Sequence, residues 1–128
     1  MGTWGTGIYE NDSTQNYMVG VINYLSDVIR NIVKWDYTLL HPGMAQSEIM
    51  ICHIDLLNAI CKRGNLHIYL PDSVEIKKWK DKYMEVWNFC IDDCNPTEEY
   101  KTERGQILKK SFNDLIALSK KNDNKLPL

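Results

Sequence analysis

Ala45-Gln-Ser-Glu-Ile-Met-Ile-Cys-His-Ile-Asp-Leu-Leu-Asn-Ala-Ile-Cys-Lys62 is the stretch on which the fold turns. Ile49, Met50, Ile51, Cys52, Ile54, Leu56, Leu57, Ala59 and Ile60 make it apolar on nearly all sides. A helix apolar all round is a buried one, so a helix over 45–62 is expected to lie at the centre of a small domain. Arg63-Gly64-Asn65 supplies its stop. Basic groups there face the negative end of the helix dipole, and a glycine just beyond accepts the left-handed turn that ends many helices.

Reading outward from this helix, the chain continues as helix after helix. On the C-terminal side, Leu66 to Leu70 reads as a short extended connector, because one strand cannot build a sheet. Pro71-Asp72-Ser73 opens a third helix. Val74, Ile76, Trp79, Tyr83, Val86, Trp87, Cys90 and Ile91 carry its three- and four-residue period to about Asp92. Cys94-Asn95-Pro96 breaks it, and a fourth helical segment starts near Thr97. Ile107, Leu108, Phe112, Leu115, Ile116 and Leu118 form its apolar face, and Gly105 is a point where it could divide in two. Residues 120–128 are polar and expected to fray. On the N-terminal side, Asn11, Asp12 and Ser13 are helix-capping types. Tyr17, Val21, Tyr24, Leu25, Val28, Ile32 and Trp35 follow at helical spacing, which predicts a long first helix over 13–35. Gly20 inside it reads as the mark of a close helix crossing, and 36–43 as a loop. The expected fold is all-α: one compact bundle of four to five helices spanning 1–128.

Composition agrees with that reading. A chain of 128 residues has the size of a single domain. Its 44% hydrophobic and 25% charged residues are those of an ordinary globular protein. The formal charge of −2 speaks against nucleic acid as a partner, since phosphate backbones select basic surfaces. No apolar run reaches the roughly 20 residues of a membrane span, and no export signal is seen, so the expected location is the cytoplasm without membrane contact.

The opening, Met1-Gly-Thr-Trp-Gly-Thr-Gly-Ile-Tyr-Glu-Asn-Asp12, packs three glycines and two aromatics into nine residues. A flexible tail has no use for such residues, so residues 1–12 are expected to dock on the bundle. Trp4 and Tyr9 would plug the core, Asn11 would cap the first helix, and Asp55 or Glu48 would receive backbone N–H groups of the glycine segment. A carboxylate on so apolar a helix needs such partners. This opening resembles that of a bacterial family described as domain of unknown function 4259. Its members typically begin Met-Gly-Xaa-Trp-Gly-Xaa-Gly-Xaa-Phe-Xaa-Asn-Asp. Tyr9 stands here where phenylalanine is usual. Asp55-Leu56-Leu57-Asn58-Ala59-Ile60, Leu70-Pro71 and Trp79 extend the likeness more weakly. The second helix departs from the family by carrying Ile, Met and Cys in place of small residues. The resemblance implies a helical fold and brings no catalytic residue with it.

Chemistry-bearing residues are sparse. Successive N–H groups of a glycine-rich segment leading into a helix N-terminus can hold an anion, yet the lysine and preceding strand of a phosphate loop are missing. Cys90 and Cys94 stand four apart and could join His53 around zinc, but paired Cys-x2-Cys knuckles are absent. Cys52, Cys61, Cys90 and Cys94 read better as reduced small hydrophobes. Cys52 or Cys90 beside His41, His53 or His67 would make a nucleophile pair that no local motif supports. Glu48 and Asp55, two turns apart, are a lone carboxylate pair. The expectation is therefore no catalytic residue, no metal and no cofactor.

Charge is the sharper signal. Asp92, Asp93, Glu98, Glu99 and Glu103 fall within twelve residues, beside Lys101 and Arg104. Lys77, Lys78, Lys80 and Lys82 lie before them, on the expected solvent side of the third helix. An acidic surface of this kind steers a basic partner, and Tyr100 and Trp87 could anchor it. The function expected is a non-catalytic binding protein, in its sharpest form an immunity protein that neutralises a basic bacterial toxin domain, such as a nuclease. The alternative is a small-molecule or metal-binding protein, or an enzyme, built on the glycine segment and Asp55.

Overall fold

Three helices begin where a short polar side chain satisfies one of their first free N–H groups. Asn11 Oδ1 accepts from the Thr14 N–H at 2.8 Å, Asp72 Oδ1 from Glu75 N–H at 2.9 Å and Thr97 Oγ1 from Tyr100 N–H at 3.1 Å. A computed structural model, describing residues 2–35 and 37–123, shows four helices. They are α1 (Asp12–Lys34), α2 (Ala45–Cys61), α3 (Ser73–Cys90) and α4 (Glu98–Lys120). Of these, α2 starts after Met44 without a side-chain cap. Short 3₁₀ turns cover Tyr37–Leu40, Leu66–Tyr69 and Ile91–Cys94. The all-α bundle read from the sequence is the fold observed. No helix among the described residues is long and apolar enough to cross a membrane.

The order of packing is α1, α2, α4, α3, with α3 returning to touch α1 only lightly. Ile22 and Ile29 of α1, Met50, Ile54 and Leu57 of α2, Ile76 and Tyr83 of α3, and Leu108, Phe112 and Leu115 of α4 close the core. The Tyr83 and Phe112 rings meet at 5.4 Å. The thin α1–α3 seam is closed by polar contacts instead. Arg30 forks onto Glu75, Nε to Oε2 at 2.6 Å and Nη2 to Oε1 at 2.9 Å, and also reaches Asp27. That pairing raises the Arg30 pKa further and keeps its charge fixed. Lys82 Nζ donates to the carbonyls of Val33 and, at 2.9 Å, Trp35, capping the C-terminus of α1.

Several expectations are corrected. On α1, Tyr17 (72% exposed), Tyr24 and Trp35 face outward. The buried residues are Gln15, Ile22, Leu25, Ser26, Ile29 and Ile32. The helix carries two apolar stripes about 100° apart, and contact with α2 and the core claims the one through Ile22. Gly20 is at no crossing, since a Cβ there would meet nothing within 4 Å. On α2, Cys52, Ile49 and Leu56 are exposed, because α1 and α4 flank the helix and leave its outer side uncovered. Leu66–Tyr69 is a 3₁₀ turn, in which Leu66, Ile68 and Leu70 N–H groups bond three residues back and need no strand partner. Gly105 does not divide α4. It lies buried on α3, where a Cβ would stand 3.4 Å from the Trp87 ring. Of the tail expected to fray, 121–123 is held: Asn122 donates to the His67 carbonyl and Asp123 accepts from the Ser73 hydroxyl. Residues 124–128 lie outside the described residues.

The N-terminal segment docks, but by other residues than expected. Trp4 is 58% exposed and no plug; its indole N–H donates to Asp12 at 3.2 Å. Asp55 is exposed and receives nothing from the segment among the described residues, and Glu48 pairs with Arg104 instead. Buried Gln15 holds the segment, donating to the Tyr9 carbonyl at 2.7 Å and accepting from the Tyr69 hydroxyl at 2.5 Å. Tyr9 packs on the core edge beside Gly64, whose φ of +50° lets the chain leave α2. An uncharged amide could do this because it donates and accepts at once, which a carboxylate cannot.

Candidate docking site

Four elements converge at one corner of the bundle: the 38–44 loop leading into α2, the end of α3, the Ile91–Cys94 turn and the start of α4. The turn exists because Asn95 adopts a left-handed φ of 51°, a conformation asparagine tolerates, before Pro96 and the Thr97 cap start α4. This fold-back brings Asp92 onto Lys101 in the opening of α4 and Asp93 onto His41 of the loop before α2. Two concavities flank it. The larger, about 880 Å³, is lined by Thr38, His41, Glu85, Val86, Phe89 and Cys90 among others. The smaller, about 260 Å³, is lined by Pro42, Glu48, Trp87, Ile91, Pro96 and Tyr100 among others.

The six expected contact residues Asp92, Asp93, Glu98, Glu99, Tyr100 and Glu103 are all exposed, and most of them gather here. Their charges are not equivalent. Asp92 accepts from Lys101 at 2.9 Å, a pairing that raises the lysine's pKa and keeps it protonated. Asp93 faces His41 Nε2 at 2.9 Å. Glu98, Glu99 and Glu103 make no ion pair among the described residues. Glu98 and Glu99 also favour the positive N-terminus of α4, so part of the acidity serves the helix itself.

Trp87, expected as an anchor, is a core residue behind this surface. The aromatic that reasoning from sequence passed over is Phe89, 89% exposed at the lip of the larger groove. The signal was present: Phe89 is apolar yet stands off the Trp79–Tyr83–Val86–Cys90 stripe of α3. Of the lysines read as solvent-facing, Lys77 pairs with Asp81 and Lys80 with Asn113, whereas Lys82 is the cap on α1.

The cysteines and histidines pair otherwise than their spacing suggested. His53 Nδ1 faces the Leu25 carbonyl at 3.2 Å and links α2 to α1, away from any cysteine pair. Cys61 is buried, and burial pushes its thiol up to about 12, so it supplies no nucleophile. Cys90 comes together instead with His41 and Asp93. His41 Nδ1 accepts the Gly43 N–H at 2.9 Å, which places the ring hydrogen on Nε2, donated to Asp93. With both nitrogens engaged, His41 has no free base. The glycine segment is likewise self-satisfied: Glu10 accepts the Gly7 N–H at 2.7 Å and lies where Cβ atoms on Gly5 and Gly7 would stand. The Gly7 N–H, one of those an anion would use, is thus already bound by a carboxylate of the chain.

No family model matches this chain, and neither a curated protein nor a solved structure matches it.

Proposed function

We propose that the protein is a non-catalytic binding module that docks a basic partner on the corner formed by the end of α3 and the start of α4. Its most specific form is an immunity protein of the bacterial cytoplasm that occludes a cognate toxin domain, such as a nuclease. The observation that carries this reading is the exposure of Phe89 and Tyr100 beside two concavities, on a surface where Glu99 and Glu103 make no ion pair among the described residues. Aromatic residues are enriched at interface cores, and acidity around them speeds encounter with a basic partner. Kinship with the domain of unknown function 4259 family belongs to the same proposal and rests on residues 1–12. Glu10 accepting the Gly7 N–H, and Asp55 standing exposed on α2, favour this reading over the anion-binding or enzymatic alternative built on the glycine segment.

The test is co-purification with the product of the adjacent upstream gene. The partner is expected to bind, with Phe89→Ala raising the dissociation rate and Glu99→Lys with Glu103→Lys slowing association most at low salt. If the neighbour does not bind, or binds these variants as tightly as the native chain, the reading is wrong.

A further inference from the structure

We infer that His41, Cys90 and Asp93 form a binding site for a zinc-type transition-metal ion. One donor atom from each, an imidazole nitrogen, a thiol sulfur and a carboxylate oxygen, lies within 4.8 Å of the others. Bonds of about 2.0–2.3 Å to a tetrahedral zinc hold such donors roughly 3.3–3.8 Å apart. Side-chain rotations that move these atoms by about an ångström therefore close the set. The donors come from three places, the loop before α2, the last residue of α3 and the turn after it, so the ion would tie them together. A thiolate with an imidazole selects zinc or cobalt over magnesium or calcium. His41 and Cys90 also line the 880 Å³ groove, which leaves a route for entry and a fourth coordination position facing open space.

The present hydrogen bonds of His41 set a condition on this site. A metal on Nε2 displaces the ring hydrogen now shared with Asp93. The neutral ring then carries its hydrogen on Nδ1, opposite the Gly43 N–H at 2.9 Å. Two donors cannot face each other at that distance, so loading turns the Gly43 peptide away. Two hydrogen bonds of His41, to Asp93 and from Gly43, are lost and the Cys90 thiol gives its proton to solvent, against three metal–ligand bonds gained. Metal occupancy is thereby coupled to the turn that leads into α2. The inference does not rest on the docking surface, although Asp93 belongs to both.

The experiment is titration of the metal-free full chain with Co²⁺ and then with Zn²⁺. One Co²⁺ per chain is expected, with the intense visible bands of tetrahedral cobalt and a thiolate-to-cobalt band in the near ultraviolet, both displaced by Zn²⁺. Cys90→Ser should abolish the thiolate band, and Asp93→Asn should weaken binding at least about 10-fold, the lower bound seen even for outer partners of metal ligands. Cys94→Ser and Cys52→Ser should change neither. The Gly43 amide resonance should shift on loading. The inference is overturned by a pale octahedral spectrum, by a thiolate band that survives Cys90→Ser, or by unchanged affinity in Asp93→Asn. Asp93 is exposed, so its variant decides the matter even if Cys90→Ser fails to fold.

Discussion

Gly20 occupies an exposed position in the interior of α1, where a Cβ would meet nothing within 4 Å. The helical backbone there suits alanine, so glycine only widens the unfolded ensemble. Gly20→Ala is expected to raise stability by about 0.5–1 kcal/mol, read as a higher midpoint in urea melts with unchanged slope. Gly64 is the opposite case. Its φ is +50°, a left-handed backbone that glycine adopts without the strain most side chains would meet there. Gln15 shows the same dependence of a residue on its surroundings. A polar residue facing the core looks costly until the Tyr9 carbonyl and Tyr69 hydroxyl are seen to use both ends of its amide.

At the scale of elements, the weakest seam is α1 against α3, and two cations bridge it. Lys82 donates to the last carbonyls of α1, which have no partner within their own helix. Lys82→Met keeps most of the stem and removes the donor. Hydrogen bonds to charged groups contribute roughly 1.5–3 kcal/mol, and the ammonium here is partly exposed, so a loss of about 1.5 kcal/mol is expected in thermal and urea melts. Lys80→Met, which forfeits only the exposed contact with Asn113, should cost less than about 0.5 kcal/mol. Equal losses in the two variants would refute the capping role. Helix starts and breaks were legible from single residues: Asn11, Asp72 and Thr97 cap, and Cys94-Asn95-Pro96 interrupts. The role of Lys82 was not, because its partners stand 49 and 47 residues away.

For the molecule as a whole, the core sets a limit at high pH. Burial raises the Cys61 thiol from 9.0 to about 12 and also raises the Tyr83 hydroxyl above its usual 10.0. Both groups are neutral in folded and unfolded chains below about pH 8, where they leave stability unchanged. Above it the unfolded chain releases these protons first, so stability falls as pH climbs towards 12. Denaturant melts should be flat in this respect from about pH 7 to 8 and weaken beyond, and Cys61→Ala should fall less steeply above about pH 9 than the native chain. A slope identical in the two would remove Cys61 as a cause.

The candidate docking corner was half legible. Its carboxylates are contiguous in sequence, so Asp92 to Glu103 announced themselves. Its aromatics were legible in part: Tyr100 lies within the acidic stretch and Phe89 stands off the helical stripe that holds Trp87, but the burial of Trp87 follows only from the packing of α4, whose Gly105 faces its ring. The same logic governs α1, whose two apolar stripes are equivalent until α2 and the core take the one through Ile22. Helix count, caps and breaks follow from interactions within a few residues, and these the chain carries in its local order. Which face is buried, what holds the N-terminal segment, and the meeting of His41, Cys90 and Asp93 depend on contacts between distant segments, which exist only once the bundle has packed.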